Sequence, residues 1–332
     1  MDALEQFLPQ VWFVILALFL FLYVLLDGFD LGVGILSLTA ADEKRRTLLM
    51  TSLGNVWDAN ETWLVLMGGA LFGAFPLAYG TILTALYWPI LLMIFGLIFR
   101  AVAFEFRENA DNKRFWNLAF AAGSTLAAVG QGLCLGTVLS GLPTDASGHY
   151  IGPRFLWLNW HSLLVAATLV QGYVLIGSTY LVMKTSGALQ ETYYRTTRIA
   201  AATTLLGGTL ITATTPFVST ELRSRLFEMP LLPVFVAIPL LAIALIVQLY
   251  RSVAQRQEVW PFVWTALLFL LTFTGLGLLV FPYIIPPSVT IYEAAASPSA
   301  LVFMIVFIGV LIPIMLFYNL YNYIVFRGKV DG

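Results

Sequence analysis

Apolar residues along this chain come in long runs separated by short polar stretches. Runs near the ~20 residues that a helix needs to span a bilayer fall at 11–37, 51–75, 77–100, 116–139, 156–183, 199–219, 231–250, 260–281 and 300–326. The pattern predicts an all-α polytopic membrane protein with nine transmembrane helices, forming one transmembrane domain over residues 1–332. The run at 51–75 is the weakest, because Asp58 and Glu61 dilute it. Asp2 and Glu5 stand where a secretory signal carries positive charge, and no small-residue cleavage site follows. The first run is therefore expected to be a retained helix.

Composition supports the bilayer. The chain is 60% hydrophobic and 11% charged, against about 45–50% and about 25% in soluble domains. Mean hydropathy is +0.88. A single soluble core of this length cannot hide that surplus. A net charge of −1 offers no basic face, so no nucleic-acid partner is expected. Cys134 is alone, which excludes a disulfide within the chain. His149 and His161 are too few for several haems or a histidine-rich metal site. His149 reads as a solvated loop residue and His161 as a packed or interfacial one. Glu221, Arg223, Arg225 and Glu228 read as a solvated outer loop. Trp12, Trp157, Trp160 and Trp260 fall at predicted span ends, as interfacial aromatics do.

Charge sets the orientation. With odd-numbered spans running inward, 14 of the 17 basic residues fall on one side, and only Arg154, Arg223 and Arg225 on the other. Basic loops stay in the cytoplasm, which predicts a periplasmic N-terminus and a cytoplasmic C-terminus. Dropping the weak second span would put Lys44 and Arg107 on opposite sides, so the asymmetry supports keeping it.

Two spans carry carboxylates that hydrocarbon does not tolerate. Asp27 and Asp30 lie three apart in the first, and Asp58 and Glu61 three apart in the second. Each pair shares a broad helix face. Asn55 and Asn60 add polar groups. A carboxylate at the bilayer centre costs roughly 2.5–3.5 kcal/mol on insertion scales. Asp30 and Asp58 each sit seven residues from the cytoplasmic end of a predicted span, about 10 Å at the ~1.5 Å helical rise. Arg100 and Glu105 close the third span on that face. Asp30, Asp58, Arg100 and Glu105 are thus expected to form one cluster reachable from the cytoplasm. Intramembrane carboxylates mark proton and cation routes. The alternative is a satisfied ion-pair network that only pins helices.

These motifs carry a family resemblance. DGFDLGVG (27–34), GNVWDANETWLVLMGGALFGAFPLAYG (54–80), FRAVAFEFR (99–107) and FPYIIPP (281–287) strongly resemble subunit II of the cytochrome bd quinol oxidases. The likeness runs from about residue 12 to the C-terminus and is strongest before residue 110. GGALFGAFPLAYG and the short chain resemble the cyanide-insensitive branch more than the longer enterobacterial type. The resemblance implies nine helices as two four-helix bundles plus one peripheral helix, paired in a heterodimer with subunit I. It implies haems b558, b595 and d (or b in place of d) and the quinol site in subunit I, with none ligated by this chain. It leaves room for a structural quinone or lipid and for small single-helix accessory subunits. The complex would oxidise quinol, reduce O2 to water with cytoplasmic protons, and sit in the bacterial inner membrane. The acid matching Asp58 lies on the family's proton route. Asp30, Arg100 and Glu105 match other interior polar positions; Glu105 stands where some members have Asp, and Glu61 where some have Gln. The proton-pathway candidates are therefore Asp58, Asp30, Asp27, Glu61, Arg100 and Glu105. A proton- or cation-coupled secondary transporter would use the same carboxylates and glycine-rich helices, but no internal repeat is visible.

Overall fold

The computed structural model describes residues 3–54, 56–325 and 328–330. Helices follow the apolar runs. They are α1 (Ala3–Leu36), α2 (Glu43–Leu53), α3 (Val56–Ala74), α4 (Pro76–Ala85), α5 (Tyr87–Arg107), α6 (Lys113–Ser140) and α7 (Trp160–Lys184). They continue as α8 (Gly187–Val218), α9 (Thr220–Phe227), α10 (Leu232–Ala254), α11 (Trp260–Val280), α12 (Ile291–Ala294) and α13 (Pro298–Val325). A small antiparallel hairpin, β1 (Tyr283–Ile285) and β2 (Val289–Thr290), interrupts the helices within the FPYIIPP segment.

Among the described residues, eight helices are long and apolar enough to cross a membrane: α1, α5, α6, α7, α8, α10, α11 and α13. The 19-residue α3 runs between the same two ends; its polar first half keeps it out of that group.

Contacts between loops define those ends. At the basic end, Arg107 binds Glu43, Tyr180 donates to the Ser52 carbonyl, Arg256 pairs with Glu191, and Lys329 pairs with Glu258. At the far end, Trp12 donates to the Leu301 carbonyl, Thr81 to that of Gly148, and the Leu142 amide to that of Pro286. Helices α7, α8, α10 and α11 close one four-helix ring. Helix α1 packs on α3 and α6, with α5 against α6, forming a second group. The two meet along α1–α7 and α6–α7, and α13 lies outside, against α3 and α1.

Several boundaries differ from the sequence reading, each for a local reason. The second span was expected from Thr51. Thr51 belongs instead to α2, which Asp42 caps by accepting from the Arg45 amide. Gly54 then turns the chain at φ 54°, a conformation that favours glycine. The third span was expected at 77–100, but the helix breaks at Leu86. Pro89 has no amide to donate to the Ala85 carbonyl. Helix α4 stays at the far end, and α5 carries seven residues beyond Arg100. The sixth span was expected from residue 199; α8 begins at Gly187. Trp12, expected at the interface, is fully buried. Arg225, expected in a solvated loop, donates instead to the carbonyls of Leu279 and Phe281 at the end of α11. Phe326, the expected end of the ninth span, lies outside the described residues.

Candidate functional site

The basic half of the core holds a cluster of charged side chains drawn from α1, α3 and α5. Gly28, Gly32 and Gly34 let α1 close on its neighbours: a Cβ on Gly32 would fall 1.9 Å from the Tyr173 carbonyl oxygen, and one on Gly34 would fall 2.0 Å from Ser124 Oγ. Such contacts bring backbones together in a bilayer. They leave Asp27 and Asp30 fully buried.

Among the described residues Arg100 is the single cation of the cluster. It lies two turns inside α5 and is 2% exposed. Its Nη1 stands 2.6 Å from Asp27 Oδ1 and its Nη2 3.0 Å from Glu61 Oε2. One guanidinium fork therefore bridges α1 and α3, a geometry that the planar side chain suits. Among the described residues Asp30 has no direct ionic partner. Its Oδ2 accepts from Asn60 Nδ2 at 2.8 Å, and its Oδ1 accepts no hydrogen bond from the described residues. Asn60 also receives the Tyr323 hydroxyl of α13 on its Oδ1, at 2.8 Å. Toward the bilayer centre, Tyr173 donates to Gln131 Oε1 at 2.5 Å, and Gln131 Nε2 donates to the Tyr23 hydroxyl at 2.7 Å. A narrow crevice beside Asp30 and Arg100 is lined by Leu53, Trp57, Phe104 and Phe120.

The membership of the cluster differs from the expectation. Asp27, Asp30, Glu61 and Arg100 come together; Asp58 and Glu105 do not join them and are exposed on this chain. Helical rotation explains both, at about 100° per residue. The buried face of α3 runs through Val56, Ala59, Asn60 and Trp63, and Asp58 points about 160° away from Asn60. On α5 the buried face runs through Gly96, Arg100, Ala103 and Arg107, and Glu105 lies about 140° round from Arg100. Asn55 lies outside the described residues. The sequence reading missed Tyr23, Gln131, Tyr173 and Tyr323. Gln131, a polar residue deep in an apolar run, was the signal available. The tyrosines carried none, since they look like packing residues until a partner is seen.

The histidines lie elsewhere. His161 is fully buried, with Nδ1 3.3 Å from Ser140 Oγ and its ring edge-on to Trp160. His149 sits in an exposed loop, 3.8 Å from Asp145. Among the described residues no three or more His, Cys, Asp or Glu side chains are placed so as to hold a metal ion.

Comparison with known proteins agrees with the motifs. The family model for cytochrome bd terminal oxidase subunit II matches residues 8–326. The chain is 28% identical to the cytochrome bd-I ubiquinol oxidase subunit 2 of Escherichia coli K12, over 98% of this chain and 96% of that protein. It is 27% identical to the cytochrome bd ubiquinol oxidase subunit 2 of Bacillus subtilis 168, over 98% and 97%. Its fold resembles a chain of the bd oxidase from Geobacillus thermodenitrificans, with a TM-score of 0.78 at 21% identity, covering 95% of this chain and 99% of that one. These likenesses and the eight apolar helices make it a multi-pass protein of the bacterial inner membrane. They decide between oxidase subunit and transporter in favour of the former. The chain belongs to the cytochrome bd terminal oxidase subunit II family.

Proposed function

We propose that this chain, as subunit II of a quinol oxidase, stabilises the haem-bearing subunit I and conducts cytoplasmic protons toward the site where oxygen becomes water. The reaction of the complex takes four electrons from two quinols and four protons per O2, releasing two waters. Haems b558, b595 and d (or b) and the quinol site belong to subunit I in this reading. Structural quinone, lipid or single-helix accessory subunits would sit on the outer helices.

The observation that carries the reading is the charge balance of the buried cluster. One guanidinium faces two carboxylates at 2.6 and 3.0 Å, while a third carboxylate, Asp30, meets only a neutral amide at 2.8 Å. Each unpaired buried ion costs several kcal/mol. A proton on Asp30 removes one such charge without rearranging the Asp27–Arg100–Glu61 bridge. Asp30 is therefore the group that takes up and gives back a proton, and Asp27, Glu61 and Arg100 fix its surroundings.

Asp58 and Glu105 occupy the outer faces of α3 and α5, among exposed Val65, Phe72, Val102 and Phe106. A carboxylate on an apolar helix surface is stable when a partner covers it. We read this face as the one that meets subunit I, with Asp58 handing protons across. The basic end then faces the cytoplasm, as the charge asymmetry expects.

Substitution of Asp30 by Asn in the purified two-subunit complex tests the reading. Quinol-driven oxygen consumption per haem should fall about tenfold, equivalent to ~1.4 kcal/mol on the barrier, with the haem spectrum unchanged. Asp58→Asn should slow turnover in the same way. Wild-type turnover in both variants would remove the proton role while leaving the family assignment intact.

A further inference from the structure

If Asp30 carries protons, they come from the basic end, and two sides of Asp30 can be compared as approaches from there. The crevice beside it has walls of Leu53, Trp57, Phe104 and Phe120. Proton transfer needs hydroxyls, amides or water, and these side chains supply only the Trp57 indole N–H. The other approach follows α13, where Asn319, Asn322 and Tyr323 stand three and four residues apart on one helix face. Around them Tyr318, Leu320, Tyr321, Ile324 and Val325 are all exposed, whereas Asn319 is 5% and Asn322 8% exposed. The helix thus turns its two amides inward. Asn319 Oδ1 and Asn322 Nδ2 find no hydrogen-bond partner among the described residues. A buried amide left unpaired costs about 1–3 kcal/mol, a cost that apolar residues at these positions would avoid.

Depth orders these groups. At ~1.5 Å per residue, Tyr323 lies about 3 Å and Asn322 about 4–5 Å from the described end of α13. Asn60 lies about 6 Å into α3, and Asp30 about 9 Å from the end of α1. Two hydrogen bonds join three of these groups: Tyr323 O–H donates to Asn60 Oδ1, and Asn60 Nδ2 donates to Asp30 Oδ2, each at 2.8 Å.

We propose that α13 provides the proton entrance: Asn319 and Asn322 hold water between α13 and α3, and Tyr323 with Asn60 positions Asp30 to be protonated from it. A hydronium there gives one proton to the Asp30 carboxylate and becomes water, and no electron moves. The proposal rests on the reading of Asp30 as the proton-carrying group. Asn60 and Tyr323 are positioning residues; Asn319 and Asn322 touch the water.

The test uses the purified two-subunit complex, with oxygen pulses and a pH-indicator dye to follow proton uptake alongside oxygen consumption per haem. The double variant Asn319→Leu/Asn322→Leu should slow uptake about tenfold. Asn319→Ser/Asn322→Ser, which keeps polar contacts for water, should restore it to near the wild-type rate. A purely structural role would change yield without changing uptake per haem. Wild-type uptake in the leucine pair, with uptake lost in Asp30→Asn, would overturn the α13 entrance and leave the role of Asp30 standing. Wild-type uptake in both would overturn the two together. Should the leucine pair not assemble, Tyr323→Phe decides, since it removes one hydroxyl and keeps the ring. At least about threefold slower uptake supports the entrance, and an unchanged rate overturns it.

Discussion

Arg100 is the residue on which the buried charges depend. Removing one partner of a buried ion pair costs about 3–5 kcal/mol, because the other charge is left uncompensated. Here two carboxylates would be stranded, since Asp27 and Glu61 share the one fork. Arg100→Met should therefore sharply reduce the amount of assembled complex in membranes, read as haem per milligram of membrane protein. Arg100→Lys keeps the charge, but a point ammonium does not reproduce the planar fork. It should give an intermediate yield. If the methionine variant assembled as well as the wild type, Asp27 and Glu61 would not both be held as ions.

At the scale of elements, two devices set helix positions. The first is close approach between α1 and α7, where a Cβ on Gly177 would fall 2.6 Å from the Gly32 carbonyl carbon. Gly32→Val meets backbone rather than a yielding side chain. It should cost at least the roughly 1–3 kcal/mol of ordinary overpacking, seen as a lower melting temperature of the complex in detergent. Gly208→Ala, with nothing within 4 Å of the added atom, should melt like the wild type. The second device ties α2 to α5 and α6. Arg107 Nη2 lies 2.5 Å from Glu43 Oε1, Arg107 Nε donates to Asn117 Oδ1 at 2.6 Å, and Asn117 Nδ2 donates to Glu43 Oε2 at 2.9 Å. Partial burial pushes the Glu43 carboxyl up, but the Asn117 hydrogen bond and the Arg107 charge outweigh it and hold the carboxyl below its usual range. A depressed carboxylate stabilises the folded state above its unfolded value, about 4.3. That contribution is lost as pH falls through the folded value. Glu43→Gln should thus lower the melting temperature at neutral pH, and the difference from wild type should shrink as the pH is taken below about 4. A difference independent of pH would mean that the ionised carboxylate is not what holds α2.

The whole molecule separates a basic end from a far end, with the carboxylate cluster nearer the basic one. The positive-inside rule predicts that this end faces the cytoplasm. Single cysteines placed at Lys113 and at Arg154, in a Cys134→Ser background, should report it. An impermeant maleimide added to spheroplasts should label the position at Arg154 and spare that at Lys113. The reverse pattern would turn the molecule over and make the α13 approach periplasmic.

Much of this was readable before the structure, because hydropathy and charge are properties of segments. Run length located the apolar helices to within a few residues for α6, α10, α11 and α13. The misplaced carboxylates were visible as exceptions to the bilayer's preference. Rotation was not readable. Whether Asp58 or Glu61 meets Arg100 depends on where α3 begins, since one residue turns a helix by about 100°. Gly54, which ends α2 and turns the chain just before α3, sets that start through backbone geometry that a count of apolar residues does not see. Nor could the sequence show that α13, more than 250 residues along the chain, places Tyr323 on Asn60. The sequence by itself determined that acids are buried in the first two spanning segments. The tertiary structure alone decided which acids share a cation and which one meets only an amide, because that choice is made by the azimuth and packing of helices distant in sequence.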